Sequence, residues 1–237
     1  MPGHHHQLNH HRNLADTAAA SPLNPMESTM YPVKFFFDFG SPNAYLSHKV
    51  IPAIEARTGA RFEYVPVLLG GIFKLTGNQS PGTAFAGIRN KPEYERLEMR
   101  RFIARHGLSA YKWNPHFPVN TLQLMRCAVA AQQLGILAPY VEAMYACMWE
   151  QERKMDDPAV IRAALLDAGL PADQLLTMMT TDPVKAGLMA NTEAAVAAGA
   201  FGSPSFLVGT ELFFGKDRLR DVEEEVLLQA GGTATKA

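Results

Sequence analysis

The residues suited to chemistry are few and scattered along the chain. Ser41 stands directly after the apolar run VKFFFDFG and directly before Pro42. A serine between a strand and a proline-led helix has its hydroxyl among the unpaired N–H groups of the first helical turn, at the positive end of the helix dipole. That place suits an anion or a thiolate, and it equally suits a plain N-cap. Lys74 and Asn78, in FKLTGN, pair a cation with an amide: they would hold a carboxylate, or they are a solvated lysine and a turn residue after Gly77. Asn120 and Thr121 close the proline-rich WNPHFPVNT and are placed to cap the helix that follows, with His116 beside them as a weak candidate base. Ser203 and Pro204 open an apolar run, as an X-Pro pair at the head of a strand does. Phe214, Gly215, Lys216 and Asp217 lead into the last helix, which Asp217 is placed to cap. The only two cysteines, Cys127 and Cys147, form no CxxC pair and no zinc knuckle. Each is expected to act as a small apolar side chain inside a helix, and His48 as a partly exposed structural residue. No metal site is expected.

The elements that must position these residues follow from pattern and punctuation. Val33–Phe39 is an aromatic and β-branched run that reads as a buried strand. Ser41 then opens a helix with Tyr45, Leu46, Val50 and Ile54 near one face, expected to bend at Pro52 and to stop at Gly59. Arg61–Leu69 is a second strand broken late by Pro66. From Gly70 to about Thr181 the periodicity is helical, with clear helices over Pro92–His106 and Thr121–Leu134 and another marked by Val141, Met144, Tyr145 and Met148. Asp157–Pro158 and Asp182–Pro183 are cap pairs, the second starting a helix that runs to Gly199. Ser203–Gly209 and Glu211–Gly215 read as a hairpin, and Asp217–Gln229 as a closing helix. The pattern is a small α/β domain, residues 31–69 and 184–230, interrupted by a helical insertion over residues 70–183.

Composition narrows the class of function. The chain has 237 residues, 47% of them apolar, and 22 Lys plus Arg against 23 Asp plus Glu, a net charge of −1. One sizeable core is feasible, and no broad cationic surface for nucleic acid or anionic lipid is implied. No apolar run approaches the roughly 20 residues of a membrane span, and no signal-peptide core is present, so a cytoplasmic protein is expected. Residues 1–30 contain His4, His5, His6, His10 and His11 but almost no large apolar side chains; they are expected to be disordered rather than a metal site, as are residues 231–237.

Read in order, FDFGSPNAYL, GGIFKLTGNQSP, FPVNT, FGSPSFLVG and FFGKDRL resemble the 2-hydroxychromene-2-carboxylate isomerases and their relatives, the kappa-class glutathione transferases, within the DsbA-like group. The likeness covers roughly Val33–Gln229. It implies a thioredoxin-like domain with an inserted all-helical domain, glutathione as cofactor and a homodimer. Ser41 and Ala44 occupy the positions that redox members give to the two cysteines of CxxC, so disulfide exchange is excluded and the sulfur must come from glutathione. By resemblance Ser41 is catalytic and hydrogen-bonds to the sulfur. Ser203 and a cis Pro204 pair with the cysteinyl backbone, and Asn78 with glutathione or substrate. Phe214, Gly215, Lys216 and Asp217 hold the γ-glutamyl end, with Asp217 on its ammonium. Lys74, Asn78, Asn120 and Thr121 face a small aromatic carboxylate. The implied reaction interconverts 2-hydroxychromene-2-carboxylate and trans-o-hydroxybenzylidenepyruvate by reversible thiolate addition, bond rotation and elimination. A glutathione transferase, a cysteine-free binding module of the same fold and a hydrolase using Cys127 are the alternatives.

Overall fold

The computed structural model describes residues 32–231. Expectations for the two chain ends, the histidine cluster included, fall outside them. In chain order the elements are β1 Val33–Phe37, α1 Pro42–Thr58, β2 Phe62–Pro66, α2 Leu69–Thr76, α3 Pro81–Ala84, α4 Lys91–His106, α5 Leu122–Gln133 and α6 Leu137–Trp149. They continue with α7 Pro158–Asp167, α8 Ala172–Met178, α9 Asp182–Ala197, β3 Ser205–Val208, β4 Glu211–Phe214, a 3₁₀ turn at Lys216–Arg218, and α10 Leu219–Gly231.

The strands form one mixed sheet in the order β2-β1-β3-β4. β1 runs parallel to β2, with Phe35 opposite Tyr64, and antiparallel to β3, with Phe35 opposite Phe206. β3 and β4 are the expected hairpin, turned at Gly209, whose φ of 59° lies in the region glycine adopts at no steric cost. β1 is apolar on both faces because both are covered. Val33, Phe35 and Phe37 point into the main core with Tyr45, Ile51, Phe206 and Val222, while Phe36 joins Val67, Ile72, Ala195 and Ala200 in a second, smaller core. α1 and α10 therefore lie on one side of the sheet and α2 and α9 on the other. Each fully buried phenylalanine contributes about 1.5–3 kcal/mol relative to exposure, and together they fix the position of the strand that ends beneath Ser41.

α1 begins at Pro42 and ends before Gly59, as its punctuation predicts, and runs through Pro52 as one element. Elsewhere the structure corrects the sequence reading. The second strand, expected over Arg61–Leu69, ends at Pro66, and Leu69 instead begins the helix Leu69–Thr76. Of its two glycines only Gly71 is a packing position: a Cβ there would lie 3.1 Å from Thr192 Cγ2 of α9, tighter than most such contacts, whereas a Cβ on Gly70 would meet nothing within 4 Å. Asp182 does not cap α9. Thr181 is the N-cap residue, without a side-chain capping bond, and Asp182 pairs with Lys185 one turn on. Asp217 does not cap the last helix either; it lies within the 3₁₀ turn, and α10 starts at Leu219. Asp157 does cap α7, accepting from Ala159 N and Val160 N.

Candidate active site

Ser41 is buried and makes two hydrogen bonds with one hydroxyl. Its Oγ accepts from Ala44 N at 3.1 Å, the N-cap bond, and donates to the Ser203 carbonyl at 2.8 Å. The second bond joins the β1–α1 turn to the turn before β3, far apart in sequence. The Ser203–Pro204 peptide is cis, as the resemblance implies, and Ser203 Oγ donates to the Phe36 carbonyl at 3.3 Å. Among the described residues the Ser203 main-chain N–H has no hydrogen-bond partner. On the far side, Gly215 N donates to the Pro204 carbonyl at 3.0 Å, which brings Phe214–Asp217 to the same turn.

Two further predicted residues reach these turns from the ends of helices, Asn78 at the turn before β3 and Thr121 at the turn before α1. Asn78 Nδ2 donates at 2.8 Å to the carbonyl of Phe201, two residues before Ser203, and its Oδ1 accepts from Gln79 N. Thr121 is buried against the turn itself: a Cβ added to Gly40 would lie 3.2 Å from Thr121 Cγ2. Asn120 is exposed beside it and, rather than Thr121, caps α5, with Oδ1 accepting from Leu122 N at 3.0 Å. Lys74 is exposed on α2, one turn before Asn78, and among the described residues it forms no ion pair. Phe214 lies against Phe201, ring centres 4.5 Å apart and planes tilted by 44°, and against Gly202. Lys216 is buried and its ammonium rests on the Asp217 carboxylate. The structure thus gathers Ser41, Asn78, Thr121, Ser203, Pro204 and Gly215 through direct contacts and leaves Lys74 at the rim.

A family model for the DSBA-like thioredoxin domain matches residues 32–227, nearly everything the structure describes. The chain belongs to that family. Among curated relatives of this DSBA-like domain, a glutathione S-transferase kappa 1 of Homo sapiens is 28% identical over 215 residues, covering 83% of this chain and 90% of the relative. A 2-hydroxychromene-2-carboxylate isomerase of Sphingobium xenophagum is 26% identical over 197 residues, covering 82% and 97%. In fold, the DSBA-like domain superposes on a solved 2-hydroxychromene-2-carboxylate isomerase with a TM-score of 0.73 at 19% identity, over 86% of this chain and all of that one. It also superposes on a cytosolic disulfide reductase of Pseudomonas aeruginosa solved with GSH, with a TM-score of 0.55 at 16% identity, over 86% and 98%.

Within this DSBA-like domain, sulfur is absent from the head of α1. Ser41 and Ala44 leave the head of α1 without a thiol, and both cysteines lie elsewhere. Cys127 is buried in α5, where burial pushes its thiol up to about 12; Cys147 in α6 is shifted the same way by the same cause. Neither is a thiolate at neutral pH, which removes the basis for a hydrolase built on Cys127. His116 is exposed in its loop. His48 is nearly buried, with Nδ1 2.8 Å from Tyr64 Oη and Nε2 2.7 Å from Glu142 Oε2, so its place is structural.

Sequence reasoning missed Asp38. Fully buried at the end of β1, it accepts from Gly40 N through Oδ1 and from Leu69 N through Oδ2, both at 2.8 Å. Burial raises its carboxyl above the usual range, against these two N–H donors and the Thr121 side chain, which favour the charged form. The available signal was a charged residue inside FFFDFG, which a strand buried on both faces does not accommodate without partners. Trp149 was missed as well: its Nε1 donates to the Phe39 carbonyl at 2.8 Å and ties α6 to the chain just before Ser41.

Proposed function

We propose that the chain is a glutathione-dependent isomerase that interconverts 2-hydroxychromene-2-carboxylate and trans-o-hydroxybenzylidenepyruvate in aromatic hydrocarbon catabolism. The observation that carries the reading is the Ser41 hydroxyl facing the cis Ser203–Pro204 turn, at the head of a helix that lacks a thiol of its own. The residues fit glutathione: the unpartnered Ser203 N–H offers a main-chain donor to an extended peptide, as an added strand requires. The Asp217 carboxylate already binds a primary ammonium in this structure. Glutathione, when bound, supplies a thiolate that adds reversibly to the substrate alkene carbon, allows rotation about the former double bond and leaves again.

The side chains of this chain would then do the rest. Ser41 turns its hydroxyl hydrogen from the Ser203 carbonyl to the sulfur, and the first turn of α1 favours negative charge there. Lys216 presents its main-chain N–H to the γ-glutamyl carboxylate, Gly215 holds that segment to the Pro204 carbonyl, and Phe214 walls that end. Lys74, free to move at the rim, meets the substrate carboxylate. Asn78 keeps one of its two amide hydrogens free, and with Asn120 and Thr121 it stabilises charge developing on the keto oxygen. In this reading the cleft lies between the domain of residues 31–69 and 184–230 and the helical insertion of residues 70–183, and the enzyme acts as a cytoplasmic homodimer.

The direct test is loss of chromene absorbance with and without glutathione. Ser41→Ala is expected to lower the glutathione-dependent rate by about 10²-fold, the loss typical of one preorganised donor. An unchanged rate, or turnover independent of glutathione, sinks the proposal. The similarity to a kappa-class transferase favours a second reading, conjugation of glutathione to electrophiles. Accumulation of a conjugate from a halogenated aromatic without chromene turnover would select it. If glutathione does not bind at all, a non-catalytic binding module of this fold is left.

A further inference from the structure

Lys216 is only 4% exposed, where an ammonium is rarely found without a partner. Its Nζ donates to both carboxylate oxygens of Asp217, at 2.8 and 2.7 Å, and lies 5.1 Å from the centre of the Phe102 ring on α4. The two partners differ in access. The lysine is held inside by Phe102, whereas the Asp217 side chain is 62% exposed. The result is a fixed cation behind an open anion. An ammonium arriving from solvent meets a carboxylate both of whose oxygens are already engaged and whose charge is already offset. Glu98, one turn before Phe102 on α4, is paired with Arg101, so Asp217 is the carboxylate on which the Lys216 ammonium rests.

We propose that Lys216 is a specificity-determining residue, a built-in competitor for the carboxylate of Asp217 that weakens recognition of the amino-terminal ammonium of a thiol peptide. The inference rests on the glutathione reading above and deepens it: the site gains little from the γ-glutamyl ammonium and accepts thiol peptides that lack it. Local sequence could not show this, because a lysine beside an aspartate before a helix reads as two solvated charges; the burial of one and the exposure of the other make the pair asymmetric.

The test compares glutathione with its des-amino analogue, glutaryl-cysteinylglycine, by titration calorimetry on the wild-type protein, Lys216→Met and the double variant Lys216→Met/Asp217→Asn. Methionine keeps the unbranched stem against Phe102, and Lys216→Gln serves in the same comparison should the methionine variant fold poorly. For the wild type the two dissociation constants are expected to agree within about threefold, since the ammonium meets an occupied carboxylate. In Lys216→Met glutathione should tighten roughly tenfold while the analogue stays put, and the double variant should lose that gain. A wild-type protein that already prefers glutathione tenfold or more, with the preference unchanged in Lys216→Met and Lys216→Gln, overturns this proposal alone. No binding of either thiol to any of the proteins overturns it together with the glutathione reading.

Discussion

Ser41 does its structural work and its proposed chemical work with one hydroxyl, so Ser41→Ala removes the bonds to Ala44 N and the Ser203 carbonyl together with the donor to sulfur. Asp38 has a structural role alone. Its two oxygens serve main-chain donors on two elements, Gly40 in the turn before α1 and Leu69 at the start of α2. Asp38→Ala leaves both N–H groups without a partner in a dry place and is expected to cost about 2–4 kcal/mol, one to two for each donor. Denaturant unfolding would show this as a lowered midpoint at constant slope; a cost below about 0.5 kcal/mol would mean that solvent reaches those donors. Ser41 and Ser203 could be chosen from sequence because each sits between a glycine and a proline, and Asp217 because the FFGKDRL motif carries the family resemblance. Asp38 could not, because nothing local indicates which donors a buried carboxylate will meet.

Between elements, polar contacts hold α6 against α1. Glu142 on α6 pairs with His48 and Lys49 of α1, at 2.7 and 2.6 Å, and Tyr45 Oη donates to Glu150 at 2.9 Å. The His48 hydrogen bond, then that of Lys49, bring the Glu142 carboxyl from the usual 4.5 down to about 2. A carboxyl depressed in the folded state contributes stability that is complete above its unfolded value and is lost as pH falls toward the folded one. The side chain of Glu142 is 57% exposed, so solvent screens the pair; Glu142→Gln is expected to cost no more than about 1 kcal/mol at pH 7. The stability curves of the two proteins should converge as pH falls from 4.5 to 2. Curves that remain parallel across that range would show that the ion pair does not link the helices. α2 shows the opposite limit of sequence reading. Gly70 and Gly71 argue locally against a helix, yet the helix forms because Gly71 allows it to lie against Thr192 of α9.

For the whole molecule, the proposed cofactor would contact residues from both ends of the chain at once. Ser41 follows β1, Ser203 precedes β3 and Gly215 follows β4, while Asn78 bonds Phe201 in the turn before β3 and Thr121 lies against Gly40 in the turn before α1. A ligand that bridges these segments binds the folded chain and not the unfolded one. Glutathione at roughly 100 times its dissociation constant is therefore expected to stabilise the protein by about 2.7 kcal/mol. For a chain of this size that is a rise in Tm of about 5–10 °C, read by differential scanning fluorimetry against oxidised glutathione as control. Absence of a shift at any concentration would remove the cofactor from the proposal. Among the described residues no helix is long and apolar enough to cross a membrane, and no three His, Cys, Asp or Glu side chains gather to hold a metal ion.

The sequence by itself determined the order of the four strands and of the longer helices, the proline and glycine boundaries of α1, α7 and the hairpin, and the absence of a thiol at the head of α1. These are local properties, set by side-chain period, fixed φ angles and residue type, and they need no neighbour to be read. Only the tertiary structure decided that the Ser41 hydroxyl rests on the Ser203 carbonyl, that Asp38 ties two elements together, that Gly71 of α2 packs against Thr192 of α9, and that Lys216 already occupies Asp217. Each of these depends on which groups meet across the fold, and burial and hydrogen-bond partners belong to that meeting rather than to any stretch of chain.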